Sequence, residues 1–446
     1  MGSAARRSEP EWDVGHTWSP PTLNFGFARV CAGMVSAMFR MINPVQTYDW
    51  GSATAFSELF GWAAPGTPQA EVWMGAHPKA PSQVVTGAKE PVRLDDHLNQ
   101  HPEQLGSGGP GQRLPFLLKI LAVATPLSIQ AHPSRDQAAA GFAAEEAAGI
   151  DLDAEHRNYV DGNHKPELVV ALTDFTALCG FRDPQQTLAD LSAVRTVIAR
   201  QVDSAGAEMI TAVQALSAAV GLSDFRAALQ AALQDHRESL SRAAGLLAEA
   251  DLRSAESELS SKTVDTIDRI TGHFPADPGL FVALMLNRVD LSPGAALFLP
   301  SGSLHAYLGG VGVEVMANSD NVLRGGLTAK HVDVAELVRI ASTEVLSLPL
   351  LEPDSNGVHH TYRPPAEEFL LHRIEFPPTG LSHQVSEPEP VVAVCTSGSV
   401  TAGSSTLAAG DSVFIPAGES AEFSATDAQL FIATVPGAPA QKVASR

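Results

Sequence analysis

The chain contains few cysteines and has no long apolar segment, and both absences narrow the class of protein. Its 446 residues include three cysteines, Cys31, Cys179 and Cys395, which are far apart and odd in number. This spacing fits neither a metal cluster nor a disulfide framework, so we expect reduced core thiols in a cytoplasmic protein. No apolar run reaches the length that a membrane-spanning helix requires, which argues against a membrane partner.

Basic residues are scarce relative to acidic ones. Lysine and arginine total 29 against 50 aspartates and glutamates, which gives a net charge of −21. Nucleic acids and anionic membranes are polyanions, so this balance argues against either as a partner. A hydrophobic content of 44% and a charged content of 18% are typical of a soluble globular protein with a sizeable core. A chain of this length is expected to form two or three domains.

The stretch LSIQAHPSRDQ, from Leu127 to Gln137, places polar side chains directly after a long apolar run. Gln130 and His132 are two residues apart, and residues i and i+2 of a β-strand point to the same face of the sheet. Burial of these groups without partners would cost on the order of a few kcal/mol. The two side chains therefore need hydrogen bonds or a metal ion.

Two further segments supply the other donors of a metal site. DGNHKPELVVAL carries Glu167 ahead of an apolar run, and ALFLPSGSLHAYLGG carries His305 after a strand-like run and a Pro-Ser-Gly turn. Two histidines, one carboxylate and one amide oxygen suit a first-row divalent metal. We expect one Zn²⁺ per chain, with Co²⁺ or Mn²⁺ as possible substitutes, and the predicted ligands are Gln130, His132, Glu167 and His305.

These segments belong to a longer series of motifs that resembles the type I phosphomannose isomerase family. The motifs follow the family's order between Asn43 and about Asp333: YDWGS, AEVWMGAHPKAPS, LPFLLKIL, LSIQAHP, NHKPE, SLHAYL and EVMANSDNVLRGGLTAKHVD. One motif alone is a weak signal, whereas seven in one order are specific. The last motif departs slightly from the family, with Gly325 and Ala329 where members often carry alanine and proline.

The resemblance implies a metal-dependent aldose–ketose isomerase that interconverts mannose 6-phosphate and fructose 6-phosphate. The reaction moves a proton between C2 and C1 through an enediol-like intermediate, in carbohydrate metabolism near GDP-mannose biosynthesis. The family's catalytic arginine corresponds to Arg324, whose cation would stabilise developing negative charge. The alternative is a buried arginine paired with Asp320 or Glu314.

The base that moves the proton stays open among Glu314, Lys165 and His132. Glu314 lies in an apolar strand-like run, and burial would raise its pKa toward a useful value. Lys165 adjoins the metal-ligand segment and could carry a proton or act as a counter-charge. His132 is expected to be committed to the metal ion.

Other residues are assigned to the substrate. Lys119 interrupts the apolar run FLLKILAV, where it needs a partner, although it could also be an edge lysine that reaches solvent. The family motif has lysine at this position, so we predict that Lys119 and Ser128 bind the phosphate. Lys330 and Arg324 are further phosphate candidates. The residues expected to line the pocket, which are equally consistent with core packing, are Trp50, Glu71 and Tyr307.

The patterns predict a mainly β fold with an α-helical insertion, arranged as two cupin-like jelly-roll barrels plus a helical domain. Short apolar runs with Gly and Pro between them indicate strands on both sides of a segment with helical periodicity. Short helices are expected near 95–104 and 134–148. The expected divisions are an N-terminal extension or mis-called start at 1–40, a catalytic barrel at 41–182 and 276–346, a helical insertion at 183–275, and a metal-free barrel at 347–446.

An internal repeat supports the second barrel. Leu291–Tyr307, LSPGAALFLPSGSLHAY, aligns without gaps with Leu407–Phe423, LAAGDSVFIPAGESAEF. Both copies predict a strand, a Pro-x-Gly turn and a second strand, as in jelly-roll hairpins. In the second copy Ala421 replaces His305, which predicts a barrel without a metal. The alternative is a chance match between two hairpins.

Two other functional classes remain open. A cupin oxygenase would explain two histidines and one carboxylate, but not Lys119, Lys165 or Arg324. A non-catalytic sugar- or metal-binding cupin would tolerate the loss of Arg324 and Glu314, yet both are present. The favoured partner is a small-molecule sugar phosphate, and we expect the chain to be a monomer.

Overall fold

The computed structural model describes residues 38–87, 90–106, 113–202, 206–254 and 258–436. The expected N-terminal extension lies outside these ranges up to residue 37, as does Cys31. Cys179 and Cys395 are buried and free, as expected of core thiols. No helix in the described ranges is long and apolar enough to cross a membrane.

Strands flank a helical region on both sides. Up to residue 324 they are β1 (Phe39–Ile42), β2 (Val45–Gln46), β3 (Glu71–Met74), β4 (Gln83–Val85), β5 (Val92–Arg93), β6 (Phe116–Val123), β7 (Gln130–Ala131), β8 (Glu167–Ala171), β9 (Phe175–Phe181), β10 (Leu286–Leu291), β11 (Ala296–Leu299), β12 (His305–Ala317) and β13 (Leu323–Arg324). The later strands are β14 (Asp354–Asn356), β15 (His359–Tyr362), β16 (Leu370–Phe376), β17 (Leu381–Ser386), β18 (Val391–Ser397), β19 (Ser399–Ala402), β20 (Ser405–Ala408), β21 (Ser412–Ile415), β22 (Ser420–Ala425) and β23 (Ala428–Thr434).

Helices lie mainly in the segments that the sequence marks as helical, although two of them, Ala55–Phe60 and Gly279–Ala283, lie in regions expected to form strands. They are α1 (Ala55–Phe60), α2 (Leu94–Gln100), α3 (Arg135–Ala148), α4 (Pro184–Gln201), α5 (Ala207–Gly221), α6 (Phe225–Gln230), α7 (Arg237–Glu249), α8 (Ser261–Thr271), α9 (Gly279–Ala283) and α10 (Val334–Ile340), with a 3₁₀ turn at Pro102–Leu105 and a π-helical turn at Ala231–Asp235. The helix α3 begins after Ser134, whose hydroxyl accepts the Gln137 N–H while the Gln137 side chain accepts the Ser134 N–H. This capping box explains why the helix starts there.

The strands form three antiparallel sheets. The ten-stranded sheet runs β10-β9-β12-β6-β3-β2, with β7, β8, β11 and β13 paired alongside; the nine-stranded sheet runs β14-β15-β16-β23-β18-β21-β1-β4-β5; and the four-stranded sheet runs β17-β22-β19-β20. The nine-stranded sheet therefore mixes both ends of the chain, since Phe39 pairs with Phe414 and Met41 pairs with Val84. The expected boundaries are therefore wrong in two places. Phe39 and Arg40 belong to strand β1, and the early strands β1, β4 and β5 join the nine-stranded sheet, whose other strands come from the C-terminal part of the chain.

Alternation along β6 shows how the layers pack. Leu118 and Ile120 point into the apolar core between the ten-stranded and nine-stranded sheets. Because neighbouring residues of a strand point to opposite faces, Lys119 and Leu121 lie on the other face, which we call the inner face. A separate core fills the space between the nine-stranded and four-stranded sheets, and the helices of the insertion pack outside β7, β9 and the first part of β12.

The long strand β12 changes its inward parity midway. In its first part Ala306 packs against the helices, so Tyr307 faces inward. In its second part Val313 packs against the nine-stranded sheet, so Glu314 faces inward. Odd positions face inward before the change and even positions after it, which requires one extra residue. The register against β9 shifts just after Tyr307, and Gly310 follows with a φ of +118°.

The two repeat copies have the same local structure. Ala296–Leu299 and Ser412–Ile415, which are equivalent in the alignment, are both strands. The equivalent turn glycines Gly302 and Gly418 have φ values of +80° and +76°, a region that strongly favours glycine. The predicted order of strand, turn and strand is therefore confirmed, and Ala421 lies on β22 where the first copy carries a histidine. The predicted hairpins are wrong, because β11 pairs with β8 and not with β12, and because β21 and β22 belong to different sheets.

Candidate metal centre and active site

Three of the four predicted metal ligands meet on the inner face. The ligand atoms of His132, Glu167 and His305 all lie within 4.8 Å of one another, and all three residues are buried. His132 Nε2 lies 3.5 Å from Glu167 Oε1, and His305 Nε2 lies 3.3 Å from Glu167 Oε2. The three side chains thus converge on one small volume.

Backbone carbonyls orient both imidazole rings. His132 Nδ1 lies 2.7 Å from the carbonyl oxygen of Asn321, and His305 Nδ1 lies 3.0 Å from that of Ser303. A carbonyl only accepts, so each Nδ1 carries the proton and each Nε2 presents a lone pair toward Glu167. Neither Nε2 has a hydrogen-bond partner among the described residues. Rings fixed through one nitrogen, with the other free, are typical of metal-binding histidines.

The protonation states also suit a metal. Burial lowers the pKa of His132 to about 4, so its ring is neutral near pH 7. Burial would raise the pKa of Glu167, but the ammonium of Lys165, with Nζ 2.9 Å from Oε1, and the neighbouring histidines lower it well below its usual range. A neutral imidazole and an ionised carboxylate are the forms that bind divalent cations.

The remaining predicted ligand, Gln130, lies beside this group. It pairs with His305 on one side and with Arg324 on the other. Directly opposite residues of neighbouring strands point to the same face, so the three side chains form a row. Ile129 and Ala131 pack outward against the helices, which turns Gln130 inward.

Next to the metal group, Lys119 lies between two carboxylates. Its Nζ is 3.4 Å from Glu71 Oε2 and 3.3 Å from Glu314 Oε2. The Tyr307 hydroxyl donates to Glu314 Oε1 at 2.8 Å, and the Trp73 indole N–H donates to Glu71. All five side chains are buried. The alternative of an edge lysine that reaches solvent is therefore wrong, because Lys119 is only 6% exposed.

This network balances charge among buried side chains. Burial alone would lower the pKa of Lys119, but Glu71 and Glu314 raise it above its ordinary value, so the ammonium stays charged. Burial raises the pKa of Glu314, and the charges of Glu167 and Glu71 act in the same direction against that of Lys119. The inner face thus carries a carboxyl group whose pKa is shifted upward next to the metal group.

Arg324 is half-buried and, within the described ranges, has no ion-pair partner. Asp320 instead pairs with Lys79 at 3.1 Å and with His77 at 3.5 Å, and Glu314 pairs with a lysine. The alternative of an arginine paired with Asp320 or Glu314 is therefore wrong. Its cation is available on the inner face.

Three predicted substrate residues lie toward the edge of this group. Lys330 is largely exposed as a residue. Partial burial of its ammonium lowers its pKa most, and the nearby positive charges of Arg324 and Lys79 lower it further, so the three cations lie near one another. Ser128 is half-buried and makes no side-chain hydrogen bond in the described part of the chain. Trp50 is half-buried and packs against the core of the inner face.

Several side chains near the site were not predicted from the sequence. Tyr48 stacks on Trp50 with ring centroids 5.9 Å apart, and Trp73 bonds the carboxylate described above. Lys79 lies in the AEVWMGAHPKAPS motif, so the motif itself could have marked it as a phosphate candidate. Asn321 orients a histidine through its backbone carbonyl, and such a role leaves no signal in side-chain identity.

Comparisons with known proteins point to one family. The sequence profile of the phosphomannose isomerase type I catalytic domain matches residues 38–184. The chain is 40% identical over 398 residues to mannose-6-phosphate isomerase of Escherichia coli (strain K12), covering 86% of this chain and 96% of the relative. The human enzyme, "Mannose-6-phosphate isomerase" of Homo sapiens, is 30% identical over 417 residues, covering 87% and 96%. The structure of the Salmonella typhimurium enzyme bound to substrate (f6p) and zinc has a TM-score of 0.79 at 35% identity, covering 90% of this chain and all of that chain.

A mainly β fold with a buried His-Glu-His group, similar over most of its length to solved isomerases, defines an isomerase with a metal-binding site. The chain belongs to the type I phosphomannose isomerase family. This membership excludes the oxygenase and the non-catalytic cupin that the sequence left open.

Proposed function

We propose that this chain is a zinc-dependent isomerase that interconverts mannose 6-phosphate and fructose 6-phosphate. The observation that carries the proposal is the buried group of His132, Glu167 and His305, whose two Nε2 atoms lack partners among the described residues. The Escherichia coli and human relatives, which this chain matches over nearly their full lengths, are both named mannose-6-phosphate isomerase. The structure of the Salmonella typhimurium enzyme contains both zinc and f6p.

The residues present fit a zinc ion. His132, Glu167 and His305 would hold it, with Gln130 on the neighbouring strand as the fourth ligand. When bound, zinc would supply Lewis-acid stabilisation of negative charge on the sugar oxygens. Nitrogen and oxygen donors also accept Co²⁺ or Mn²⁺, which we propose as substitutes.

Glu314 and Lys165 are better candidates than His132 for the base that transfers the proton between C2 and C1. A backbone carbonyl holds Nδ1 of His132, and its Nε2 would bind the metal ion, so His132 is not favoured as the base. Glu314 has a pKa raised by burial, which suits a group that must accept and then release a proton. Lys165, next to Glu167, is the other candidate, and it could equally hold the carboxylate in place.

The cations divide into two groups with different roles. The charge of Lys119 is already balanced by Glu71 and Glu314, so Lys119 serves better to hold these carboxylates than to bind phosphate. Lys330 and Arg324 lack carboxylate partners in the described ranges, and uncompensated cations attract a phosphate. We therefore place the phosphate near Lys330, with Ser128 as an additional candidate contact.

Arg324 keeps the catalytic role that the family resemblance implies. It lies opposite Gln130, which in turn lies opposite His305, so it adjoins the ligand row rather than the outer edge. A guanidinium in this position would stabilise the negative charge of the enediol-like intermediate. The pocket wall would include Trp50, and the Tyr307 hydroxyl would hold the base candidate beside it.

The finer features of the fold are also proposed. Both β regions are interpreted as cupin-like jelly-roll barrels because the two equivalent segments of strand, turn and strand share their strands and turn glycines. The catalytic barrel would use 41–182 and 276–346, the helical insertion 183–275, and the metal-free barrel 347–446, with the early strands added as described above. A cytoplasmic location and a monomeric state complete the proposal.

A direct test measures fructose 6-phosphate formed from mannose 6-phosphate in a coupled assay. We expect turnover by the zinc-loaded protein, a loss of at least about 100-fold in His305→Ala, and no change in His101→Gln, an exposed histidine just after α2. Glu314→Gln and Lys165→Met then separate the base candidates by the rate of C2-proton exchange with solvent. Folded, zinc-loaded protein without turnover would overturn the proposal.

A further inference from the structure

One carboxylate of the C-terminal part of the chain contacts two of the three segments that carry the predicted metal ligands. Glu368 lies in the connection between β15 and β16, and its Oε1 is 2.5 Å from Arg135 Nη2 and 2.7 Å from His164 Nε2. Arg135 follows His132 by three residues, and His164 precedes Glu167 by three. A single side chain thus joins two sequence-distant segments just outside the metal group.

The bond to Glu368 completes the anchoring of residues 161–167. The start of this segment is already held from the other side, where the Asn321 amide donates to the backbone oxygens of Asp161 and Asn163 at 2.7 and 2.8 Å. Further along, the His164 Nε2–H donates to Glu368 Oε1 at 2.7 Å, and Arg135 Nη2 lies 2.9 Å from the same nitrogen while it binds the same carboxylate. Backbone pairing holds the end of the segment, where the Pro166 carbonyl accepts from Ala317 N–H and Glu167 pairs with Leu299 and Met316. The Glu368 carboxylate, from the connection between β15 and β16, therefore fixes the His164 side chain between these two anchored stretches.

Glu368 is built into the interface rather than exposed at its rim. Its side chain is 11% exposed, and the next residue, Phe369, is fully buried in the core between the two large sheets. Burial would raise the pKa of Glu368, but the hydrogen bond and charge of His164 and the charge of Arg135 lower it. Its carboxylate is therefore ionised at neutral pH while fixed in place.

We propose that Glu368 is a positioning residue that orients Lys165 and Glu167 by holding His164. It thereby couples the nine-stranded sheet, to which β15 and β16 belong, to the metal site. This inference rests on the proposed function, since it assigns a role in metal binding and turnover. Glu368 contacts no predicted ligand. Partners that hydrogen-bond a metal ligand directly typically change metal affinity or activity about 10- to 100-fold when lost. Glu368 acts one residue further out, so we expect its effect at the lower end of that range.

The test compares Glu368→Gln with Glu367→Gln, a matched change at the exposed neighbouring carboxylate. Zinc affinity is measured by competition with a chromophoric chelator, alongside kcat, KM and the thermal midpoint. We expect Glu368→Gln to weaken zinc binding and lower kcat by about 10-fold each, with KM and the folded fraction close to those of the control. Zinc affinity and kcat equal to those of Glu367→Gln would overturn the proposal.

A second comparison tests the route through His164. If Glu368 acts by holding that imidazole, His164→Gln should show a similar loss, and the double variant should lose no more than either single variant. Losses that add in the double variant would contradict the route. Because zinc affinity is measured without substrate, the inference can be judged even if the natural protein does not turn over mannose 6-phosphate.

Discussion

The hydroxyl of Tyr307 donates a 2.8 Å hydrogen bond to the carboxylate of Glu314, seven residues further along the same strand. In a regular strand, residues seven apart face opposite sides of the sheet and lie roughly 23 Å apart. The register shift after Tyr307 changes the inward parity, and the bend at Gly310 brings the two halves of β12 together. The position of Glu314, the base candidate, therefore depends on this irregularity in β12.

Replacing Gly310 should therefore damage both stability and the site. In Gly310→Ala the new Cβ would lie 2.6 Å from the carbonyl oxygen of Asp174 and 2.7 Å from Phe175 Cα, at a φ of +118°. Backbone clash and strain together should cost about 3 kcal/mol or more of unfolding free energy. Gly403→Ala, at a φ of +58° with open space around it, is the control. Equal urea midpoints for the two variants would contradict this account of the bend.

Tyr307→Phe should shift the pH dependence of turnover. The variant removes a donor to the Glu314 carboxylate, so the pKa of Glu314 should rise further. If Glu314 is the base, the acid limb of kcat/KM moves to higher pH, with a stability loss of about 1 kcal/mol. Tyr362→Phe, which removes a buried 2.8 Å bond to the Gly294 carbonyl away from the site, controls for the stability loss. An unshifted acid limb would argue against Glu314.

His372 should make the protein less stable in acid. Burial, together with the nearby His359 and Arg363, lowers the pKa of His372 to about 4, against about 6.5 in the unfolded chain. Between these values the unfolded state binds more protons, so the free energy of unfolding falls as pH falls from 6.5 to 4, by on the order of 3 kcal/mol. Urea unfolding of His372→Leu at several pH values should show a shallower decline than His331→Gln. Parallel curves would exclude this contribution.

Local patterns predicted the parts of the site that depend on local geometry. The alternation rule placed Gln130 and His132 on one face, and the repeat anticipated two equivalent segments of strand, turn and strand. The capping residue Ser134 marked the start of its helix. Each of these features depends on neighbouring residues, whose side chains leave a direct signal in the sequence.

Features that depend on long-range pairing left no such signal. The sequence could not show that Phe39 would pair with Phe414, since strands so far apart in the chain carry no mark of their partners. It did not show that Asp320 would pair with Lys79 and leave Arg324 unpaired. The contact between Glu368 and His164 joins residues 204 apart, and nothing in either local stretch indicates the other.

Titration of chelator-treated protein with zinc, with mannose 6-phosphate isomerisation followed in parallel, tests whether turnover requires the metal ion. We expect turnover to be lost on chelation and to return in proportion to bound zinc, saturating at one ion per chain. Metal binding should also raise the thermal midpoint, because the ion binds the folded state, and His305→Ala should bind zinc far more weakly. Full turnover in protein shown to be free of metal would contradict the account.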